Sequence, residues 1–447
     1  MEHPLRSIPR NRRQFLALAR ALLHSDQTAE AHVQVLRATF QLGSLARGLD
    51  AFAARTVSWT STSPQPRLKV LVQQLESDRL VHRMLERYGM RQLPPISSPA
   101  RMRPFSGTHI QPKLETTVDL ADWLRLDLEQ LLWFADLHDR NGSGSNPLLS
   151  HYTNRILAKP FGSIRLLEAP KQRLKSIQRQ ILEDILTPIS LHTAVHGFCK
   201  GSSILTFASP HIAREAVLKL DLQNFFPSIS GPRVQALFRT LGYPEPVADL
   251  LGGLCTTTTP RRIWRNTGLE LSTEELQRAR VLYARPHLPQ GAPTSPALAN
   301  LCAFRLDCRI SGLSKAAEVA YTRYADDLAF SGDAQFVRKA DRFVRHVFRI
   351  IYEEGFSPHP RKTRLMRPSV RQHLAGLTLN VHPNLPRRDL ELLEAILTNC
   401  VRYGPETQNR DQHPDFRSHL QGRVSFATMV NPVRAVRLRA LYQQISW

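Results

Sequence analysis

The sequence is short of acids. Its 447 residues hold 38 Asp plus Glu against 60 Lys plus Arg, a formal net charge of +22. Such a balance disfavours a cationic partner and points to a polyanion, because neutralising phosphates releases counterions. Cysteine is scarce as well. Cys199, Cys255, Cys302, Cys308 and Cys400 show no paired metal-ligand spacing, so a zinc knuckle is not expected and the thiols are read as reduced. No stretch approaches the roughly 18 uncharged apolar residues of a membrane span, so no membrane partner is expected. The apolar run at 15–23 follows arginines but is interrupted by Arg20 and lacks a small-residue cleavage site. A signal peptide is therefore not expected, and the expected location is the cytoplasm. No internal repeat is present.

What is there suffices for several cores. Hydrophobic residues make up 42% of a chain long enough for two or three domains. Residues 1–90 read as helices: Phe15, Leu18, Ala19 and Leu22 recur at helical spacing, as do Val33, Leu36 and Phe40, and Leu68, Val72 and Leu75. A Pro/Ser-rich linker is expected at 93–104, a helical patch at 117–134 and a flexible loop at 141–147. Beyond it strands alternate with helices. A strand begins at Ile164, contains Arg165 and ends by Pro170; a helix follows over 174–186, with Lys171, Arg173, Lys175 and Arg179 at its start and outer face. The loop 196–202 sets two glycines around Lys200, a weak phosphate-loop signal.

An apolar strand over 217–221 delivers Asp221 at its end, and a buried lone carboxylate is costly, so Asp221 calls for a cation. After a basic, threonine-rich insertion at 255–285 come Gln290 and Gly291, then Ser295, expected to N-cap a helix beginning at Pro296 and running through Leu306. Aromatic and aliphatic residues over 321–332 suggest two short strands turning through 325–327, with Asp326 and Asp327 at the tip. Two acids in a turn are by themselves ordinary turn composition. A helix at 336–352, a basic turn at 360–364 carrying Lys362, a strand at 374–379 and a helix at 390–401 follow. The last helix is expected to start with Asn431 as N-cap and to set Val433, Val436, Ala440 and Leu441 against Arg434, Arg437 and Arg439.

Phosphoryl transfer by two metals needs ions roughly 3.5–4 Å apart, and carboxylates from separate strands are a usual way to hold them. Mg²⁺ takes few carboxylates and keeps waters and substrate phosphates, so three acids are enough.

The order Asp221 to Phe226, Gln290-Gly291, Tyr324-Ala325-Asp326-Asp327 and Lys362 resembles the motifs of reverse transcriptases, most closely the bacterial retron type. The resemblance runs from about 152 to 447. It includes Arg165-Leu166-Leu167-Glu168-Ala169-Pro170, the loop His196-Gly197-Phe198, and Leu420, Gly422 and Arg423 through Asn431-Pro432. Two retron signatures, Asn-Ala-x-x-His and Val-Thr-Gly, are matched only in part by Phe207-Ala208-Ser209-Pro210-His211 and Leu374-Ala375-Gly376.

The resemblance implies an α+β right-hand polymerase fold: fingers and palm with an antiparallel sheet at 150–385, a helical thumb at 386–447, and an accessory α-helical N-terminal region at 1–140. It implies that Asp221, Asp326 and Asp327 bind two Mg²⁺ ions, with Mn²⁺ as a substitute. Arg165, Phe226, Gln290, Gly291 and Lys362 would bind the incoming dNTP, with Phe226 as the gate against a 2′-hydroxyl and Lys362 as a proton donor to pyrophosphate. Tyr324, Arg434 and Arg437 would contact primer and template. The implied partners are a cognate noncoding RNA, an RNA–DNA hybrid and an effector protein, and the implied product is a branched RNA–DNA molecule made in defence against phage. A reverse transcriptase of the group II intron or abortive-infection type is the alternative enzyme, although no maturase-like or endonuclease extension is expected after the thumb. A nucleic-acid-binding scaffold is the other alternative, and it would have no reason to keep three mutually repelling acids.

Overall fold

The structure is a computed structural model describing residues 10–24, 28–40, 48–60, 68–88, 112–137, 150–158, 164–265 and 272–447. The expected linker at 93–104 and loop at 141–147 lie outside the described residues. The chain divides into two units, one drawn from the first 104 residues with 114–119 and 242–247, the other from the remainder.

The smaller unit is helical, as its periodicity predicts. Helices Arg10–His24, Ala29–Phe40, Leu49–Thr60, Leu68–Ser77 and Arg79–Tyr88 gather around Leu18, Leu22, Leu36, Phe52 and Leu71. Each of these side chains is fully buried, a contribution of about 1.5–3 kcal/mol apiece. The patch expected at 117–134 is two helices, Thr117–Leu124 and Leu128–Ala135. The break comes at Arg125, which adopts φ +54, and Asp127 then caps the second helix by accepting from Gln130 N at 2.7 Å.

In the larger unit, β1 (Tyr152–Ala158) and β2 (Ile164–Pro170) form an antiparallel ribbon. The central sheet contains β3 (Ala216–Asp221), β4 (Ala320–Tyr324), β5 (Asp327–Gly332) and β6 (Arg364–Met366), all antiparallel, in the order β4-β5-β3-β6. β3 lies inside the sheet and is buried on both faces, which explains its near-continuous apolar sequence. Alternation sorts its side chains. Leu218 pairs with Phe330 of β5, whose ring meets Phe343 edge-on at 5.2 Å; Val217 and Ala329 belong to the cluster around Phe207. Helix Ala334–Glu353 covers the Phe330 side with Phe336, Ala340, Phe343, Val347 and Ile351, a stripe at helical spacing.

Three local expectations are corrected. Ser295 is not an N-cap but the first residue of helix Ser295–Cys302, with Thr294 before it; that helix stops at Ala303 and a second, Phe304–Ala316, begins. The apolar run at 374–379 is not one strand. It is a hairpin of β7 (His373–Leu374) and β8 (Leu377–Thr378), turned by Ala375 and Gly376 at φ +44 and +82. Asn431 ends helix Phe416–Val430, donating to Ala427 O, while its Oδ1 accepts from Arg434 N at 3.1 Å ahead of helix Ala435–Gln443. With Arg387–Tyr403, these C-terminal helices bury Leu393, Leu397, Leu420, Val424 and Leu438. Among the described residues no helix is long and apolar enough to cross a membrane, and all five cysteines are free.

Candidate active site

The hairpin of β4 and β5 turns through Ala325, at φ +55, and Asp326. In the sheet register Asp221, last in β3, stands opposite Asp327, first in β5. Backbone bonds fix the junction: Leu222 N donates to Asp326 O at 2.9 Å, and His359 N donates to Asp221 O at 2.7 Å. Two acids at strand ends and one in the turn thus meet at one end of the sheet. Asp326 shows the consequence. Burial first, then the charges of Asp327 and Asp221, raise its pKa above the ordinary carboxylate value, with Lys362 acting in the opposite direction.

Two lysines answer the other two acids. Lys362 Nζ lies 2.9 Å from Asp221 Oδ1, and Lys219 Nζ lies 3.0 Å from Asp327 Oδ1. Lys219 was not among the candidates, yet it sits two residues before Asp221 on one strand and so shares its face. Among the described residues no group of three or more His, Cys, Asp or Glu encloses an ion by itself. The donor chemistry nevertheless suits Mg²⁺, which takes one or two carboxylates and fills its remaining positions with water and phosphate oxygens.

Behind the turn lies a buried polar network. Arg323, in β4, and Asp307, on helix Phe304–Ala316, are both 0% exposed, and they meet through two bonds, Nε to Oδ1 at 2.8 Å and Nη2 to Oδ2 at 2.7 Å. Arg323 Nη1 also donates to Asn300 Oδ1 and to Ala325 O, both at 3.0 Å. Asn300 Nδ2 in turn donates to Gly197 O at 2.9 Å. Only glycine fits there, since a Cβ on residue 197 would lie 2.6 Å from Ala325 N. On the other side, His211 is buried with both ring nitrogens engaged, Nδ1 with Ser331 Oγ and Nε2 with Thr322 Oγ1, each at 2.7 Å. The Thr322 hydroxyl donates to Phe207 O, so Nε2 carries the proton and Nδ1 accepts from Ser331. One neutral imidazole therefore clamps β4 to β5 below the acids.

The remaining candidates fall into three places. Phe226 and Tyr324 flank the turn, and Phe198 stands between them with ring centroids at 6.2 and 6.3 Å. Arg165 is exposed on β2, and the same strand is tied to the Gln290 loop, because Glu168 N donates to Gln290 O at 2.8 Å. At Gly291, with φ +131, a Cβ would lie 3.1 Å from Glu168 O, and the buried Glu168 side chain holds His287 Nε2 at 2.8 Å and the Thr259 hydroxyl at 2.7 Å. Arg434 lies just ahead of helix Ala435–Gln443 and Arg437 within it, where Arg437 Nε pairs with Glu394 at 2.8 Å.

Residues 157–383 match the family model described as reverse transcriptase (RNA-dependent DNA polymerase). The Mx65 retron reverse transcriptase of Myxococcus xanthus is 39% identical over 292 residues, covering 64% of this chain and 63% of that protein. The Mx162 retron reverse transcriptase of the same organism is 33% identical over 348 residues, 75% of this chain and 67% of that protein. The Ec86 retron reverse transcriptase of Escherichia coli is 34% identical over 221 residues, 49% of this chain and 60% of that protein. The chain therefore spans about two thirds of the length of these relatives.

Proposed function

Because the chain belongs to the reverse transcriptase (RNA-dependent DNA polymerase) family and is of the retron type, we propose that it copies a structured noncoding RNA into DNA. The observation that best supports this reading is the meeting of Asp221, Asp326 and Asp327 at one end of the sheet, with Asp326 pressed by its neighbours. The substrates are dNTPs and the RNA with its growing RNA–DNA hybrid; synthesis starts from a guanosine 2′-hydroxyl and yields a branched RNA–DNA product. Residues 150–385 act as fingers and palm, 386–447 as thumb and 1–140 as an accessory region. A cytoplasmic role in defence against phage, with an effector protein, belongs to the same reading.

The three acids would hold two divalent cations, Mg²⁺ or Mn²⁺ in its place, whose chemistry when bound is to acidify the attacking hydroxyl and to neutralise the departing pyrophosphate. The chain's own residues orient and discriminate. Phe226 lies under the deoxyribose and excludes a 2′-hydroxyl, and Arg165 grips the triphosphate. The Gln290-Gly291 backbone lines the pocket, where close approach needs a residue without Cβ. Tyr324 supports the primer end, and Arg434 and Arg437 face the nucleic-acid backbone. Lys362, released from Asp221, gives its proton to the pyrophosphate oxygen.

The test is DNA synthesis by the full chain with the noncoding RNA transcribed beside its gene, Mg²⁺ and dNTPs. Labelled DNA linked to RNA is expected from the parent and none from Asp326→Asn or Asp327→Asn. Unchanged synthesis by either variant overturns the metal-site assignment.

A further inference from the structure

Phe198 stands beside the acid turn, 51% exposed as a residue and with its backbone at φ +59, a region that a bulky side chain rarely adopts. A single exposed aromatic is ordinary. A strained one on a locked loop is not, because folding must hold it there. The lock is explicit. His196 N donates to Arg323 O at 2.8 Å, Gly197 abuts Ala325, and the Gly197 carbonyl receives Asn300 Nδ2 at 2.9 Å and Cys199 Sγ at 3.1 Å. The loop is thereby fixed to the backbone that carries Asp326, and the ring it presents gains little from burial.

The ring's neighbours suggest what it meets. Phe226 and Tyr324 lie on either side of it, at interplanar angles of 58° and 40°, so three aromatic rings make an open array at the site. Flat π-faces next to a phosphoryl-transfer centre suit a nucleobase, and stacking accepts every base because every base has a π-face. We infer that Phe198 is a stacking surface for a base of the nascent pair, either the templating base or that of the incoming dNTP. This inference rests on the polymerase reading above. It also gives the strain a function: the left-handed backbone turns the ring outward, toward a ligand.

The experiment uses the full chain with a primer–template carrying 2-aminopurine at the templating position. It compares the parent with Phe198→Ala, Phe198→Leu, Phe198→Tyr and Phe198→Gly. Three quantities are read: the KM for dNTP, the Kd for primer–template, and 2-aminopurine quenching on binding. Removing a stacked ring should weaken one of the two constants about tenfold or more. A raised Kd with lost quenching assigns the templating base, and a raised KM alone assigns the incoming base. Phe198→Tyr should restore the parent's values and Phe198→Leu, which keeps the bulk without the π-face, should not. Phe198→Gly, relieved of strain, should bind as poorly as Phe198→Ala, which separates stacking from loop stability. Both constants within twofold of the parent in Phe198→Ala and Phe198→Leu, with an active parent, overturn the stacking assignment alone. A parent that makes no DNA overturns this inference together with the polymerase reading.

Discussion

Asp307→Asn should destabilise the larger unit by roughly 3–5 kcal/mol, the usual cost of breaking a buried ion pair from one side. Asparagine keeps the size and one acceptor, so lost volume is not the cause. What is lost is, among the described residues, the only charge paired with the Arg323 guanidinium, at 2.7 Å in a place where both side chains are 0% exposed. Burial by itself would favour an uncharged Arg323, and Asp307 more than offsets this, leaving its pKa raised. In a unit of the size of the larger one each kcal/mol moves the midpoint by about 1.5 °C, so a fall of roughly 4–7 °C is expected. Tyr321, which donates its hydroxyl to Asp307 Oδ1 at 2.8 Å, keeps that bond only if the asparagine presents its oxygen there.

The activity should fall for a separate reason. Arg323 also holds Ala325 O, at 3.0 Å, inside the turn that presents Asp326. The double variant Arg323→Met, Asp307→Leu separates the two effects, because an apolar pair of similar volume satisfies burial but leaves Ala325 O without its donor. Stability measured by urea unfolding should recover only in part in the double variant, because Ala325 O, Asn300 Oδ1 and the Tyr321 hydroxyl lose their partners, while DNA synthesis at 20 °C should stay at least about tenfold below the parent, the equivalent of one lost hydrogen bond's worth of turn placement. A midpoint for Asp307→Asn within 2 °C of the parent, or a double variant that synthesises DNA at the parent's rate, would refute the bracing argument.

His211 should make the fold acid-sensitive. Burial, followed by the charges of Arg214 and His196, lowers its pKa to about 3, so the folded chain keeps it neutral while the unfolded chain takes up a proton near pH 6.5. Stability is therefore lost as pH falls below about 6.5, by roughly 3 kcal/mol at pH 4, and His211→Gln should flatten that part of a urea-unfolding profile. Asp326 has the opposite sign. Its raised pKa means that stability is full at low pH and declines as pH rises through that value, so without Mg²⁺ at pH 8 Asp326→Asn should melt above the parent. A lower midpoint in calorimetry would contradict the like-charge argument.

The three acids were legible because strand patterns are local. An apolar run ending in Asp221 and an aromatic-rich hairpin with two acids at its tip each state where a carboxylate goes, and their meeting needed only the antiparallel register. Arg323 was hidden for the converse reason. It occupies a position that reads as the polar half of an alternating strand, and its partner Asp307 comes from a helix that no periodicity links to that strand. His211 was visible only as the end of a partial signature, because its role depends on Thr322 and Ser331 of two other strands. The run at 374–379 was misjudged since the turn inside it rests on Ala375 at φ +44, where Gly, Asn or Asp would have given the signal. Ser295 and Thr294 are both able to cap, and sequence alone does not choose between them.

The two lysines sharpen what the site requires of a cation. Lys362 reaches Asp221 from a turn where its side chain is 55% exposed, and Lys219 meets Asp327 with both partners 24% exposed. Asp221 itself is only 10% exposed, so its pair with Lys362 is held more firmly than a surface one, but a divalent ion carries twice the charge of the ammonium it would replace. Asp326, which has no ion pair among the described residues and feels Lys362 only as the smallest of the named influences, retains the like-charge pressure that such an ion would relieve. The order of preference follows from this: a cation bound between Asp326 and its neighbours would gain most, and Lys362 is the lysine whose charge already acts on Asp326. On the function proposed above, a lysine that serves as counter-ion before the cation arrives would already be in place to donate a proton afterwards, and a flexible stem on an exposed turn would let it move from the first task to the second without refolding anything beneath it.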